Sequence, residues 1–459
     1  MGTNNRARRA AKAKQRAKQR ARAGQAGDRE RRGPDSWRDA EHPGGHEPVY
    51  SEAQSAEVAW LTAAEVSIGR TGDAQAGLAR LAQLPRRTVL SVAERLLREH
   101  VGLLWEHGWQ PRELHRQGQI GARSSVARLV ELAVATDLGR RLAAAPDLHP
   151  QWREQAEELA HHEPGQIDGW LERWHLASGP PAAEAVSAYA AIAAAIAVLF
   201  TLPPLDVLIP APGHQVFPDT RQQATDPTID RVRALLAKAE STEFEAEAMA
   251  FTAKAQELIT KHAIDVAMLA GEATDADAVP VMIRIPVDPP YADAKSLLLQ
   301  TVAAASRCRA VFSQRISISN VVGFPDDLTA VEILFTSLLV QAQQALSEAG
   351  RAAPSGAQPR SQGFRSAFLL AYAQRIGERL DEINAHVFST TGAKAETFLP
   401  VLRSQEDAIA DFVSERFGDL VSSSVRSGYS PSGWSSGRLA ADQARLAAGD
   451  LDPGVDRLL

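Results

Sequence analysis

Residue types able to do chemistry fall in five places along this sequence. Cys308 stands between Arg307 and Arg309, whose charges would favour a nucleophilic thiolate. His161, His162 and Glu163, with His175, offer nitrogen and oxygen ligands for a metal, but the two histidines are adjacent and run into Pro164 instead of lying one helical turn apart. His100, His107 and His115 are seven and eight residues apart, near one helical face, with Gly108 and Pro111 breaking that helix. Glu245, His262 and Asp265 carry the groups of a general acid–base or hydrolytic step. Finally, Arg6, Arg8, Arg9, Lys12, Lys14, Arg16, Lys18, Arg20 and Arg22 give residues 1–22 nine positive charges and no acid.

Most of these also have a structural reading, and it is the stronger one. Cys308 opens a predicted strand, where a thiol is buried and inert, and no partner base can be assigned to it from spacing. His262 sits in the last turn of a predicted helix, where the helix dipole welcomes a cation. No metal site and no cofactor is expected. The sequence has no H-E-x-x-H, no Walker A and no G-x-G-x-x-G, which removes the usual support for a zinc peptidase, a P-loop ATPase or a dinucleotide enzyme.

The basic run is different, because nine cations without an acid attract a polyanion in a salt-sensitive, sequence-blind way. The chain as a whole has a formal charge of −6, so the other 437 residues, with 41 basic against 56 acidic side chains, stand at −15. Two partners suit the run: a nucleic acid, or an acidic protein surface, this protein's own body included.

These groups must be positioned by helices. Residues 1–48 alternate Arg, Lys, Ala and Gln before GPDSW and EHPGGHEP, which predicts a basic disordered tail. Residues 49–202 show apolar residues at three and four spacing, as in LSVAERLLREHVGLLWEH, and predict an all-helical domain. It holds Trp60, Trp105, Trp109, Trp152, Trp170 and Trp174, read as wedges between helices. Its last segment, Ala185 to Leu205, is uncharged but alanine-dominated and is read as a buried helix, not a membrane span. Six prolines make residues 203–225 and the start of the next element a linker. A helical hairpin is predicted over 226–271, and an α+β domain over 277–446 with VPVMIRIPV, RAVFS and ISISNVVGF as strands of an antiparallel sheet. Residues 447–459 are a flexible end. The expected fold is therefore mainly α, with a small α+β part.

The hairpin is the most regular stretch. Asp226 before Pro227 is an N-cap, and Thr242 with Glu245 forms a T-x-x-E capping box that opens the second helix. Phe244, Ala248, Phe251, Ala255, Leu258 and Ile259 then make an apolar stripe. Only five lysines lie outside the basic run, and Lys238, Lys254 and Lys261 are three of them; Glu247, Lys254 and Lys261 share one face, available to a phosphate or simply to solvent. RVRALLAKAESTEFEAEAMAFTAKAQELITKHAID resembles domain-of-unknown-function family 2786, with Leu235, Leu236, Ala239, Thr242, Glu245, Ala246, Ala248, Lys254, Ala255, Leu258, Lys261, His262 and Asp265 on its pattern. The resemblance implies an α+β partner domain after the hairpin. GFPDDLTAVEILFTSLLVQ, FRSAFLLAYAQRIGERL and GWSSGRLAADQARL are similar to its segments, and GWQPREL to helical extensions in related proteins. It implies no mechanism.

One further feature is GYSPSGWSSGRLAADQARL, a Gly/Ser stretch entering a helix near Arg438, with Tyr429 and Trp434 as stacking surfaces for a base. The sequence thus predicts a cytoplasmic protein without a membrane segment, acting as a nucleic-acid-associated or adaptor module. Polyanion contacts are assigned to the nine residues of the basic run, with Lys254, Lys261 and Arg438 added. The alternatives are an enzyme using Glu245, His262 or Asp265 between hairpin and α+β domain, or a protein-binding scaffold.

Overall fold

The computed structural model describes residues 50–67, 73–144, 149–159, 168–177, 185–211, 258, 279–352, 361–391, 395–418, 420 and 430–444. Among them are thirteen helices and one three-stranded sheet, so the protein is mainly α with a small α+β part. Eight helices come first: α1 (Glu52–Ser67), α2 (Ala74–Ala82), α3 (Arg86–Glu106), α4 (Pro111–Gln119), α5 (Ser124–Ala144), α6 (Pro150–Leu159), α7 (Trp170–Ala177) and α8 (Ala185–Phe200). The remaining order is β1 (Val281–Pro286), α9 (Ala292–Ala305), β2 (Arg309–Ser313), β3 (Ile318–Gly323), α10 (Pro325–Ala352), α11 (Gln362–Thr391), α12 (Ala395–Phe417) and α13 (Pro431–Gln443). Residues from Ala56 onward form one compact unit.

The first eight helices share a core because their apolar stripes face inward. On α3, Val89, Leu90, Ala93, Leu96, Leu97, Val101, Leu104 and Trp105 are buried, the stripe that a 3.6-residue period requires. Trp60, Trp105, Trp109 and Trp152 are each buried to within 1%. They wedge helices apart, and three of the indole N–H groups find acceptors: Trp60 donates to the Val89 carbonyl, Trp105 to Asp137 and Trp109 to the Pro203 carbonyl, each at 2.9 Å, whereas the Trp152 N–H is buried without an acceptor among the described residues. The alanine-rich α8 runs through this core, burying Ile192, Ala195, Ile196 and Leu199. Among the described residues no helix is long and apolar enough to cross a membrane.

The sheet is antiparallel in the order β1-β3-β2, with β2 and β3 joined as a hairpin. Alternation divides its faces. Val281, Ile283, Ile285 and Val287 pack with α9, α10 and α11 around Leu299, Leu334 and Phe368. On the opposite face Met282 and Val322 lie under Ile409 and Val413 of α12, whereas Ile316 and Ile318 join the core of the first eight helices. Between these two covers, on the same face as Met282, sits Arg284.

Arg284 ties the sheet to the helices. Its side chain is 2% exposed and forks onto Glu113 of α4, with Nε at 2.7 Å from Oε1 and one terminal nitrogen at 3.0 Å from Oε2. The remaining donors reach the carbonyls of Gly108 (2.7 Å) and Asp206 (2.9 Å). Glu113 is itself the third residue of a capping box: its Oε2 accepts the Gln110 N–H at 2.9 Å, with Pro111 at the first helical position. Gly108 has φ +81, and a side chain there would strike the carbonyls of Leu205 and Asp206. The GWQPREL stretch is thus the seat of the sheet. The first residues of the proline-rich stretch belong to it too: Trp109 donates to the Pro203 carbonyl, Leu205 N–H bonds to His107, and Ile209 and Ala211 are buried.

Two more α4 side chains complete the seam. Arg116 pairs with Asp288 and donates to the Ser317 carbonyl at 2.8 Å, and the Gln117 amide donates to the Ile316 carbonyl at 2.6 Å. Burial pushes the Glu113 carboxyl up, against the pull of Arg284. Removing one member of a buried ion pair strands the other. Arg284→Met is therefore expected to cost about 3–5 kcal/mol in denaturant unfolding, and Glu113→Gln less, since its amide oxygen still caps Gln110. The double variant Glu113→Leu with Arg284→Met should recover much of that loss; strictly additive losses would show that the pair is not coupled.

Candidate functional site

The structure brings few of the sequence-predicted site residues into view. The nine basic residues Arg6 to Arg22, together with Asp226, Thr242, Glu245, Lys254, Lys261, His262 and Asp265, lie outside the described residues, as do His161, His162, Glu163 and Tyr429. Arg438 is described. Helix α13 begins at Pro431, behind a Ser430 cap whose Oγ accepts the Gly433 N–H at 3.2 Å, so the Gly/Ser stretch is itself helical. Gly433 and Gly437 are small for a packing reason: a Cβ on either would run into the Phe364 or Phe368 carbonyl of α11. This close contact aligns Arg438 with Glu378, at 3.1 and 2.9 Å. Trp434 remains half-exposed.

Glu378 also accepts from Arg375, which bonds Asp442 at 2.5 Å, so two cations and two carboxylates on α11 and α13 are matched beside the glycine seam. The Arg438 and Arg375 hydrogen bonds hold the Glu378 carboxyl down at about 2. Because its folded value lies below the ordinary carboxylate value, this stabilisation is complete above about pH 4.5 and is lost as pH falls through about 2.

Among the described residues the histidines do not converge. His100 stacks on Phe200 with centroids 3.9 Å apart and has its Nε2 at 3.2 Å from the Leu199 carbonyl, and burial lowers its pKa. His175 is buried beside Tyr189, its pKa lowered by burial and then by Arg86. Among the described residues no group of three His, Cys, Asp or Glu side chains is arranged to hold a metal ion. Cys308 is buried, its Sγ 3.4 Å from the Ser306 carbonyl and tight against Gly323. Burial, then Asp327, raise its pKa well above the ordinary thiol value; Arg307 opposes them and loses.

Two cavities have walls with chemical character. One, of ≈ 330 Å³, runs along α3 past Arg87, Ser91, Arg98 and Glu172. Its polar groups are largely engaged: Glu94 accepts the Gly169 and Leu171 N–H groups at the start of α7 (2.9 and 3.2 Å), and Arg95 pairs with Glu57 and Glu99. The other, of ≈ 550 Å³, opens where α9 ends and β2 begins, between Gln300, Thr301, Arg307 and Arg309 on one side and Glu406 and Ala410 of α12 on the other.

The second groove is shaped by how α9 stops. Cys308 N–H reaches back to the Ala303 carbonyl (2.7 Å) and Arg307 N–H to Ala304 (3.1 Å), the paired bonds of a Schellman turn. The left-handed residue this turn needs is ordinarily glycine, and here it is Arg307 at φ +57. Its guanidinium is locked onto both oxygens of Asp327 (3.1 and 2.8 Å) and onto Gln405 (3.1 Å). Sequence reading singled out Arg307 and Arg309 only as neighbours of Cys308; the convergence with Thr301 and Glu406 depends on folding.

Residues 228–266 match the family described as Protein of unknown function (DUF2786). No curated protein and no solved structure matches the chain. Neutralising the Glu378 cluster tests the reading of Arg438 as a structural residue. The melting temperature of Glu378→Gln should approach that of the unaltered protein as pH falls from 4.5 towards 2, and stay below it above pH 5; parallel curves across that range would remove the pair from the stability of the α11–α13 seam.

Proposed function

We propose that this protein is a nucleic-acid-associated module held to its partner by residues 1–22. The observation that carries this is the charge division: nine cations without an acid in that run, against a formal −15 over the rest of the chain. Such a run binds phosphates by charge and counterion release, so it should favour no base sequence. Arg6, Arg8, Arg9, Lys12, Lys14, Arg16, Lys18, Arg20 and Arg22 are the contacts, with Lys254 and Lys261 as additions on the family segment. Arg438 is a weaker addition, because a phosphate there would compete with Glu378. The single, buried cysteine suits a reducing cytoplasmic setting.

The test is a titration of the full-length protein against single-stranded DNA, duplex DNA and RNA at several salt concentrations, beside a variant with all nine residues replaced by glutamine. The unaltered protein should bind all three, with log K falling against log salt by roughly 0.7–0.9 per phosphate contacted. The variant should lose most of that slope, and a Lys254→Gln, Lys261→Gln pair should lose a smaller part. Equal affinity and slope in protein and variant would sink the reading; binding to an acidic protein but to none of the nucleic acids would replace it with the adaptor role.

A further inference from the structure

We propose that the groove at the junction of α9, β2 and α12 is a binding site for a small molecule bearing a carboxylate or phosphate group. At ≈ 550 Å³ it falls in the size range of sites that enclose small ligands. Small side chains keep it open: Ala304 and Ala410 stand exposed on its walls, and Ile409 contributes an apolar patch.

The polar groups on its walls are free to act. Arg309 is exposed at the start of β2, and among the described residues its guanidinium makes no ion pair or hydrogen bond. Glu406, on the facing wall, forms no ion pair with it. Thr301 presses its methyl toward Gly377, where any side chain would collide with that methyl, while its Oγ1 stands farther away, without a side-chain hydrogen bond among the described residues. Most other helical threonines here spend the hydroxyl on their own helix, as Thr62, Thr329 and Thr336 do. Gln300, exposed at the rim, makes no side-chain hydrogen bond among the described residues.

Arg307 adds a fixed donor. Its terminal nitrogens hold Asp327 and Gln405, which leaves Nε–H without an acceptor among the described residues. A non-glycine residue in a left-handed conformation persists where its surroundings over-determine it, and such positions cluster at binding sites. The Asp327 clamp supplies that determination and neutralises Arg307, so the uncompensated charge is that of Arg309. An oxyanion on Arg309, with Thr301 and Gln300 as hydrogen-bond partners, satisfies the wall; a ligand amine or hydroxyl farther along meets Glu406. Cys308 lies beneath, too buried and too weakly acidic to react with the occupant.

The experiment is calorimetric titration of the full-length protein with inorganic phosphate, a nucleoside monophosphate, succinate and glutamate. Arg309→Gln, Ala410→Phe and the glutamine variant of residues 1–22 are run beside it. Arg309 and Ala410 are exposed, so neither change should move the melting temperature. At least one probe is expected to saturate a single site per chain. Its affinity should fall about tenfold or more in Arg309→Gln, the loss of a charge-assisted contact, and as far in Ala410→Phe, which fills the groove. The residue 1–22 variant should bind as tightly as the unaltered protein, which separates this site from the proposed nucleic-acid anchor. Saturable binding by none of the four probes, or affinity unchanged in both groove variants, overturns the proposal; the probe that binds tells phosphate from carboxylate.

Discussion

A guanidinium that is 2% exposed must be surrounded by acceptors, and the placement of Arg284 dictates much else. It needs a carboxylate on its fork and carbonyls on its remaining donors, and it obtains them from three segments far apart in sequence: Gly108, Glu113 and Asp206. The constraint propagates outward. Gly108 must take a positive φ to pass under Leu205 and Asp206, and Trp109 must turn its N–H to Pro203. Glu113 must begin a helix if the same carboxylate is to cap Gln110. Buried ion pairs add little net stability over apolar packing, but they tolerate few alternatives. A one-residue slip of β1 would carry Arg284 to the α9–α11 face of the sheet, into the apolar core around Leu299, Leu334 and Phe368 and away from Glu113. The pair therefore sets strand register and helix docking together.

Local signals in the sequence go far toward this fold and stop where contacts become distant. The three strands appear at the expected places, and apolar residues at helical spacing over 291–306, 326–349, 362–387 and 404–417 mark α9 through α12 with ragged ends, α12 beginning nine residues before the last of these runs, at Ala395. Period and capping are written within a few residues of where they act, so they can be read. The role of GWQPREL cannot, because Glu113 and Arg284 are 171 residues apart and a lone Arg in a strand reads as a solvent-facing residue. GWSSG has the composition of a loop, yet Gly433 and Gly437 lie one turn apart on α13, against α11. Nothing near them in sequence distinguishes glycine used for a turn from glycine used for close approach.

The preference for arginine over lysine also takes on a meaning after folding. Again and again a guanidinium closes backbone that secondary structure leaves open: Arg284 at Gly108 and Asp206, Arg116 at Ser317, Arg315 at Thr201, Arg379 at Ala441 and Ala444. Lysine has three donors on a single atom and cannot make the four hydrogen bonds that Arg284 makes, whereas the planar five-donor fork can. The carboxylates do the complementary work at helix starts, Glu94 for α7 and Glu113 for α4. Abundant arginine in the body is thus chiefly a structural commitment, and it is poor support for a polyanion surface there.

That commitment sharpens what is left over. A cation already bonded to carbonyls or carboxylates can take up an anionic ligand only by surrendering those bonds, at a desolvation cost that a surface contact seldom returns. Arg438 is in this position because Glu378 holds both its terminal nitrogens. Arg309 is not: it stands at a strand start, beside a clamped Arg307 and an unbonded Thr301 hydroxyl, with a cavity before it. An anion bound by Arg309 breaks no existing side-chain bond, so recognition there costs little. The same logic favours residues 1–22, where nine like charges without an acid have no neighbouring carboxylate in sequence to satisfy them. Among the described residues most arginines are bonded to carbonyls or carboxylates, and Arg309 is one that is not.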